Sequence, residues 1–249
     1  MLLLGCGVPL YLLARARYGA AVAVCSYLFL FCNPMLPRVL LWDLTPFVSV
    51  PCALAGITIW LRAGEGRRFN RLASGFLFSL SVNSHAFTAT AIGYFLAVET
   101  GFVLLQRDRW AKLSVDVICT ALGAAAAVAV GVAYYNLRVG HFGLIFLMRS
   151  TVIGVIIAMK DGIEHALPVK EWAATATYAY VPPLLAIAAV VLLGRRLFAN
   201  TVEARIAWFA IAYISFYAFC RFVAGLDVIE HFIISATLPS LCICLSLSS

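Results

Sequence analysis

Apolar positions along this chain fall in long uninterrupted runs. Between Trp172 and Gly194 lie 23 consecutive uncharged residues, closed at once by Arg195 and Arg196. Roughly 20 apolar residues are needed for a helix to cross about 30 Å of hydrocarbon, so this run predicts a membrane-spanning helix. Comparable runs cover 18–37, 44–61, 72–98, 117–137, 206–220 and 232–249. The pattern predicts an all-α, polytopic transmembrane bundle of about nine helices, forming a single domain over 1–249. The stretch 72–106 is too long for one span, so Asn83, Ser84 and His85 are read as an outer turn between two helices, the first of them, 72–82, short and tilted or shielded. The apolar stretch 142–159 carries Arg149 at its middle, and a crossing there would invert every later loop. We therefore read 136–171 as one long outer segment, with 142–159 interfacial or re-entrant.

Composition agrees: 64% of residues are hydrophobic and 12% charged, a balance that excludes a soluble domain of this size. The charges then set a topology. One series of connections holds Arg15, Arg17, Arg62, Arg67, Arg68, Arg71, Arg107, Arg109, Lys112, Arg195, Arg196 and Arg205, or 12 of the 18 basic residues, and the positive-inside rule makes this side cytoplasmic. The other six stand singly on the outer side, with six of the 11 acids and all four histidines. The net charge of +7 is thus a topology signal and predicts no nucleic-acid partner. The eight cysteines sit almost entirely in apolar runs as small hydrophobes, with no disulfide framework or metal cluster expected.

The first apolar stretch ends at Arg15 after 14 uncharged residues, which reads as a truncated first helix, with a signal peptide as the second choice. Walker, HExxH and GxSxG motifs are absent. Glu99 and Asp116 lie near cytoplasmic helix ends, where snorkelling to water accounts for them. Trp42, Trp60, Trp110, Trp172 and Trp208 lie near expected span ends and read as an interfacial belt.

Several strings in order suggest a family. Tyr11 to Gly19 (YLLARARYG) precedes an apolar helix ending at Asn33-Pro34; Trp42 to Phe47 (WDLTPF) opens a helix that closes in basic residues; then come Asn83-Ser84-His85, Tyr135-Asn136 to Phe142-Gly143, and Glu230-His231-Phe232 before a helix containing Pro239. This series resembles the polyprenyl-phosphate-sugar-dependent membrane glycosyltransferases of the GT-C fold, such as the protein O-mannosyltransferases and aminoarabinose transferases. The resemblance implies transfer of a sugar from a polyprenyl-phosphate carrier to a hydroxyl of a lipid, glycan or protein acceptor on the extracytoplasmic side. A carboxylate would take the acceptor proton, and cations would hold the departing phosphate. It implies no certain cofactor and is compatible with a divalent cation. The family's principal catalytic acid lies in the first outer loop, which this chain is expected to lack, and His85 and His231 stand where the family often has lysine and arginine.

Asp43 is the candidate catalytic residue, read as a helix cap or as a group at the acceptor or a metal. The lipid-phosphate candidates are Arg38, His85, Arg138, Arg149 and His231. Of these, His85 reads as an interfacial turn residue or a phosphate contact, and Arg149 as a phosphate ligand, a snorkelling side chain or one half of a structural pair. Glu230 and His231 are adjacent and diverge around a helix, which favours anchoring at the water boundary. The mixed-charge stretch 160–171 reads as a solvated loop or short helix, in which Asp161 and His165 would share a face. Two further function classes fit the same sequence: a multi-pass transporter or flippase for an anionic or lipid-linked substrate, and a non-catalytic membrane scaffold.

Overall fold

The computed structural model describes residues 2–31, 46–62, 67–84, 88–105, 110–139, 188, 191, 194–198 and 201–222. Among these residues all regular structure is helical, seven α-helices and one short 3₁₀ helix (Gly194–Phe198) with no strand, so the protein is all-α. The expected span 232–249, the segment 142–159 and nearly all of 172–194 lie outside the described residues.

Helices α1 (Leu2–Tyr18) and α2 (Ala20–Phe31) pack as a hairpin whose turn is the single residue Gly19, at φ +87°. A left-handed residue just past a helix end suits glycine, which has no Cβ to clash. The arginines expected to end the first helix lie inside it: Arg15 and Arg17 occupy its last turn, where cations favour the negative end of the helix dipole. Close packing of the pair is marked at Gly7, where a Cβ would fall 2.1 Å from Tyr27 Cε2.

Helix α3 (Pro46–Leu61) starts on a proline, whose missing N–H costs nothing in a first turn. Helix α4 (Arg67–Ser84) begins ahead of the expected 72, taking Arg67, Arg68 and Arg71 into the helix. It stops at Ser84 and α5 (Thr88–Leu104) follows, so the expected two helices are present, although His85 itself lies outside the described residues. Small residues join α3 to α4: Ser74 Oγ donates to the Gly56 carbonyl at 2.9 Å and Ser81 Oγ to the Ser49 carbonyl at 2.7 Å.

Helix α6 (Trp110–Val139) is longer than the expected 117–137, and the segment read as outer loop from 136 is helical through Val139. Its contact with α4 is made backbone to backbone. A Cβ on Gly75 would lie 2.0 Å from the Thr120 carbonyl oxygen, and one on Gly123 would lie 1.9 Å from that of Leu72. Two reciprocal glycines therefore set the separation of this pair. One face of α6, with Asp116, Gly123 and Ala127, is buried; the other exposes Val117, Ile118, Leu122, Val130 and Leu137.

Helix α7 (Val202–Phe222) is capped by Thr201, whose Oγ1 accepts from the Ala204 N–H at 3.2 Å. It packs on α5 through rings. Phe95 meets Phe209 edge-on at 5.7 Å, Phe209 stacks on Tyr213 at 5.8 Å, and Tyr94 lies 5.2 Å from Phe216. Among the described residues Phe95, Phe209, Tyr213, Ile57 and Ile206 are the largest fully buried side chains, and they place the core of this part between α3, α5 and α7.

Candidate functional site: a buried ionic cluster beside a cavity

Two carboxylates that the sequence reading assigned to water are buried at 4% exposure each, and the structure corrects that assignment. Asp116, in the second turn of α6, faces the start of α4. Arg67 Nε donates to Asp116 Oδ1 at 3.0 Å and Arg67 Nη2 donates to Oδ2, a two-pronged grip that matches the planar guanidinium to the carboxylate. Arg71, one turn on and on the same face, brings its Nε within 3.4 Å of Asp116 Oδ1. At the first position of α4, the hydrogen bond to Asp116 raises the Arg67 pKa above its ordinary value, against the opposing effect of burial.

Arg71 extends the cluster to α3. Its Nη1 donates to the Trp60 carbonyl at 2.6 Å and its guanidinium carbon sits 3.6 Å from the Trp60 ring centroid. Trp60 is 7% exposed and its indole Nε1 donates to Glu99 Oε2 at 2.9 Å, so this tryptophan belongs to the bundle interior and not to an interfacial belt. Phe95 and Phe78 wall the same ring at 6.1 and 6.4 Å. Arg205, in the first turn of α7, donates from Nη1 to the same Glu99 oxygen at 3.2 Å. The second oxygen, Glu99 Oε1, is buried with no hydrogen-bond partner among the described residues. A looser pair, Arg17 to Glu203 at 3.7 Å, lies further out.

Beside the cluster opens a cavity of about 630 Å³. Arg17, Arg67, Arg71 and Arg205 line it together with Glu99, Asp116 and Glu203, while Leu96, Val103, Val117, Ala121 and Ala124 form an apolar continuation. The four arginines come from three helices, Arg17 from α1, Arg67 and Arg71 from α4 and Arg205 from α7, and the charge pattern assigned all four to one side. Each carboxylate faces a guanidinium, so the charge of these acids is compensated within the protein.

Glu99, Asp116 and Trp60, read from the sequence as groups at the water boundary, belong to this cluster, whereas Arg138 of the phosphate-binding candidates does not line its cavity. Asp43, Arg38, His85, Arg149 and His231 lie outside the described residues. Arg138 is described: it is exposed in the last turn of α6, with its guanidinium carbon 6.0 Å from the Tyr134 ring centroid. Among the described residues no group of three or more His, Cys, Asp or Glu side chains is placed to hold a metal ion. The available signal for the missed cluster was the arginine pair at i and i+4, Arg67 and Arg71, opposite lone acids at the ends of apolar runs. Comparison of the chain with protein-family models, with curated proteins and with solved structures finds no match.

Proposed function

We propose that the chain is a multi-pass membrane protein of about nine helices in a GT-C-like arrangement, and that it moves a sugar from a polyprenyl-phosphate carrier to an acceptor hydroxyl at the extracytoplasmic face. The observation that carries the membrane part is the two-sided character of α6. Asp116 and Arg138 are separated by 21 uncharged residues, which at 1.5 Å per residue puts them about 33 Å apart, close to the thickness of a bilayer's hydrocarbon. Between them the outward side chains are apolar, with Ile118 57%, Leu122 58% and Val130 57% exposed. A face of that kind is stable against lipid and costly against water.

The activity itself rests on the ordered resemblance to the GT-C enzymes. On this reading the ionic cluster marks the cytoplasmic end, Arg138 the outer one, and Asp43 with Arg38, His85, Arg149 and His231 supplies the base and phosphate contacts there. The test is transfer of radiolabelled sugar from a panel of polyprenyl-phosphate donors in vesicles containing the protein. Transfer is expected from this chain or, if it is an incomplete and inactive fragment, only from a form extended upstream to the previous in-frame start, and in the active form Asp43→Asn should lower it about 100-fold or more, the usual scale for losing a general base. Absence of transfer from both forms across the panel, with protein that resists carbonate extraction, would remove the enzyme reading.

A transporter or flippase is the second reading, and one observation favours it. The cavity runs from the ionic end to Ala124, at the middle of the 30-residue helix α6, as an access path toward the bilayer centre would.

A further inference from the structure

We propose that the cavity beside the ionic cluster binds a phosphoester carrying at least one free hydroxyl, at the end of the bundle opposite the expected catalytic face. The placement rests on the membrane reading above; the ligand chemistry rests on the cavity alone.

Charge comes first. Among the described residues four arginines and three carboxylates line the space, leaving one positive charge in excess, which favours an anionic phosphoester over a neutral or zwitterionic group. Arg67 and Arg17 keep 41% and 34% of their side-chain surface exposed, so guanidinium surface is open even though both are paired. A phosphate is bound well by such groups. Hydrogen bonding comes second. Glu99 Oε1 is a buried acceptor, and leaving the hydrogen bond of such a group unmade is destabilising, more so when the group is charged. Its neighbours Trp60 Nε1 and Arg205 Nη1 both donate to Oε2. A ligand hydroxyl that displaces the covering side chains to reach Glu99 from the cavity would donate to Oε1, which takes no hydrogen bond from the described residues. An ammonium would do the same, but a zwitterionic headgroup would leave the excess positive charge unbalanced.

Shape comes third. The volume of about 630 Å³ lies within the range of small-molecule sites. The apolar continuation past Leu96, Ala121 and Ala124 accommodates the first carbons of a chain attached to the phosphate. The chemistry could arrive as a lipid headgroup or as a soluble sugar or glycerol phosphate, and the two are separable.

The test uses the full chain in nanodiscs. Binding of phosphatidylglycerol is compared with that of phosphatidylethanolamine, and glycerol 3-phosphate is titrated separately, with Ala121→Leu and Ala124→Leu as cavity-filling variants that touch no ion pair. The expected result is at least tenfold preference for one of the two hydroxylated phosphoesters over the ethanolamine lipid, and at least tenfold loss of that binding in whichever filled variant folds. Capture of the lipid alone identifies a headgroup site, and capture of glycerol 3-phosphate a soluble one. Equal binding of both lipids without glycerol phosphate binding, or binding unchanged in a folded filled variant, overturns the proposal. Carbonate extraction reports separately on membrane insertion, so an inserted protein that binds neither phosphoester removes this site and leaves the membrane reading standing.

Discussion

Helices α4 and α6 meet in two regions that use opposite means. At one end Arg67 and Arg71 reach to Asp116 with long charged side chains; further along, Gly75 and Gly123 let backbone lie against backbone. The ionic end is directional: the fork of Arg67 fits one rotation of α6, and only there is the buried charge compensated. The glycine contact has no directional bond but a hard distance limit, since any Cβ would overlap a carbonyl oxygen. Register is thus set by charge and separation by the absence of side chains. Small residues at close helix contacts are the means that membrane helices use, because lipid tails offer no hydrophobic drive between them.

Breaking the ionic region should have the largest effect. Asp116→Ala leaves Arg71 buried without its carboxylate, and loss of one partner of a buried pair costs about 3–5 kcal/mol; part exposure of Arg67 points to the lower end. A denaturant titration of the purified protein should show it, and an unchanged midpoint would mean the cluster is not what positions α6. Next come Gly75→Ala and Gly123→Ala. Each inserts a methyl into backbone, for about 1–3 kcal/mol, less the roughly 1 kcal/mol by which alanine favours a helix. Their effects should not add, because both open the same contact. Gly131→Ala, with nothing within 4 Å of its Cβ, is the matched control and should be neutral or stabilising; equal losses at all three positions would refute the close approach.

Trp60→Phe keeps a ring under Arg71 but removes the donor to Glu99, for about 1.5 kcal/mol on the scale of hydrogen bonds to charged groups. It sharpens the comparison by testing how far the ionic region depends on α3. The smallest change is expected for Glu203→Gln. Its coupling to the part-exposed Arg17, read from a double-mutant cycle, should be about 0–1 kcal/mol and shrink in high salt. A larger loss would move the edge of the ionic region out to α1.

Much of the helix order was legible. Pro46 marked the start of α3 and Asn83-Ser84 the end of α4, because start and stop signals are local chemistry. The boundaries that moved did so around charges: α1 runs through Arg17, α4 starts at Arg67 and α6 takes in Asp116 and Arg138. Arginine is a good helix former, so a cation ends an apolar run without ending the helix. Trp60 and Glu99 were misread for a different reason. Both stand at run ends where water is the plain expectation, and only a partner from a distant helix takes them out of it.

The sequence by itself determined that this protein is all-α and that α6, alone among the described helices, is long and apolar enough to cross a bilayer, since run length and terminal residues act within one element. The tertiary structure decided which lone charges are compensated and where space remains between helices. Asp116 finds Arg67 across 49 residues and Glu99 finds Arg205 across 106, and no local spacing encodes such pairs. Burial makes the difference. A carboxylate at a helix end is satisfied by water until a second helix covers it, and from then on an arginine from elsewhere in the chain has to take the place of that water.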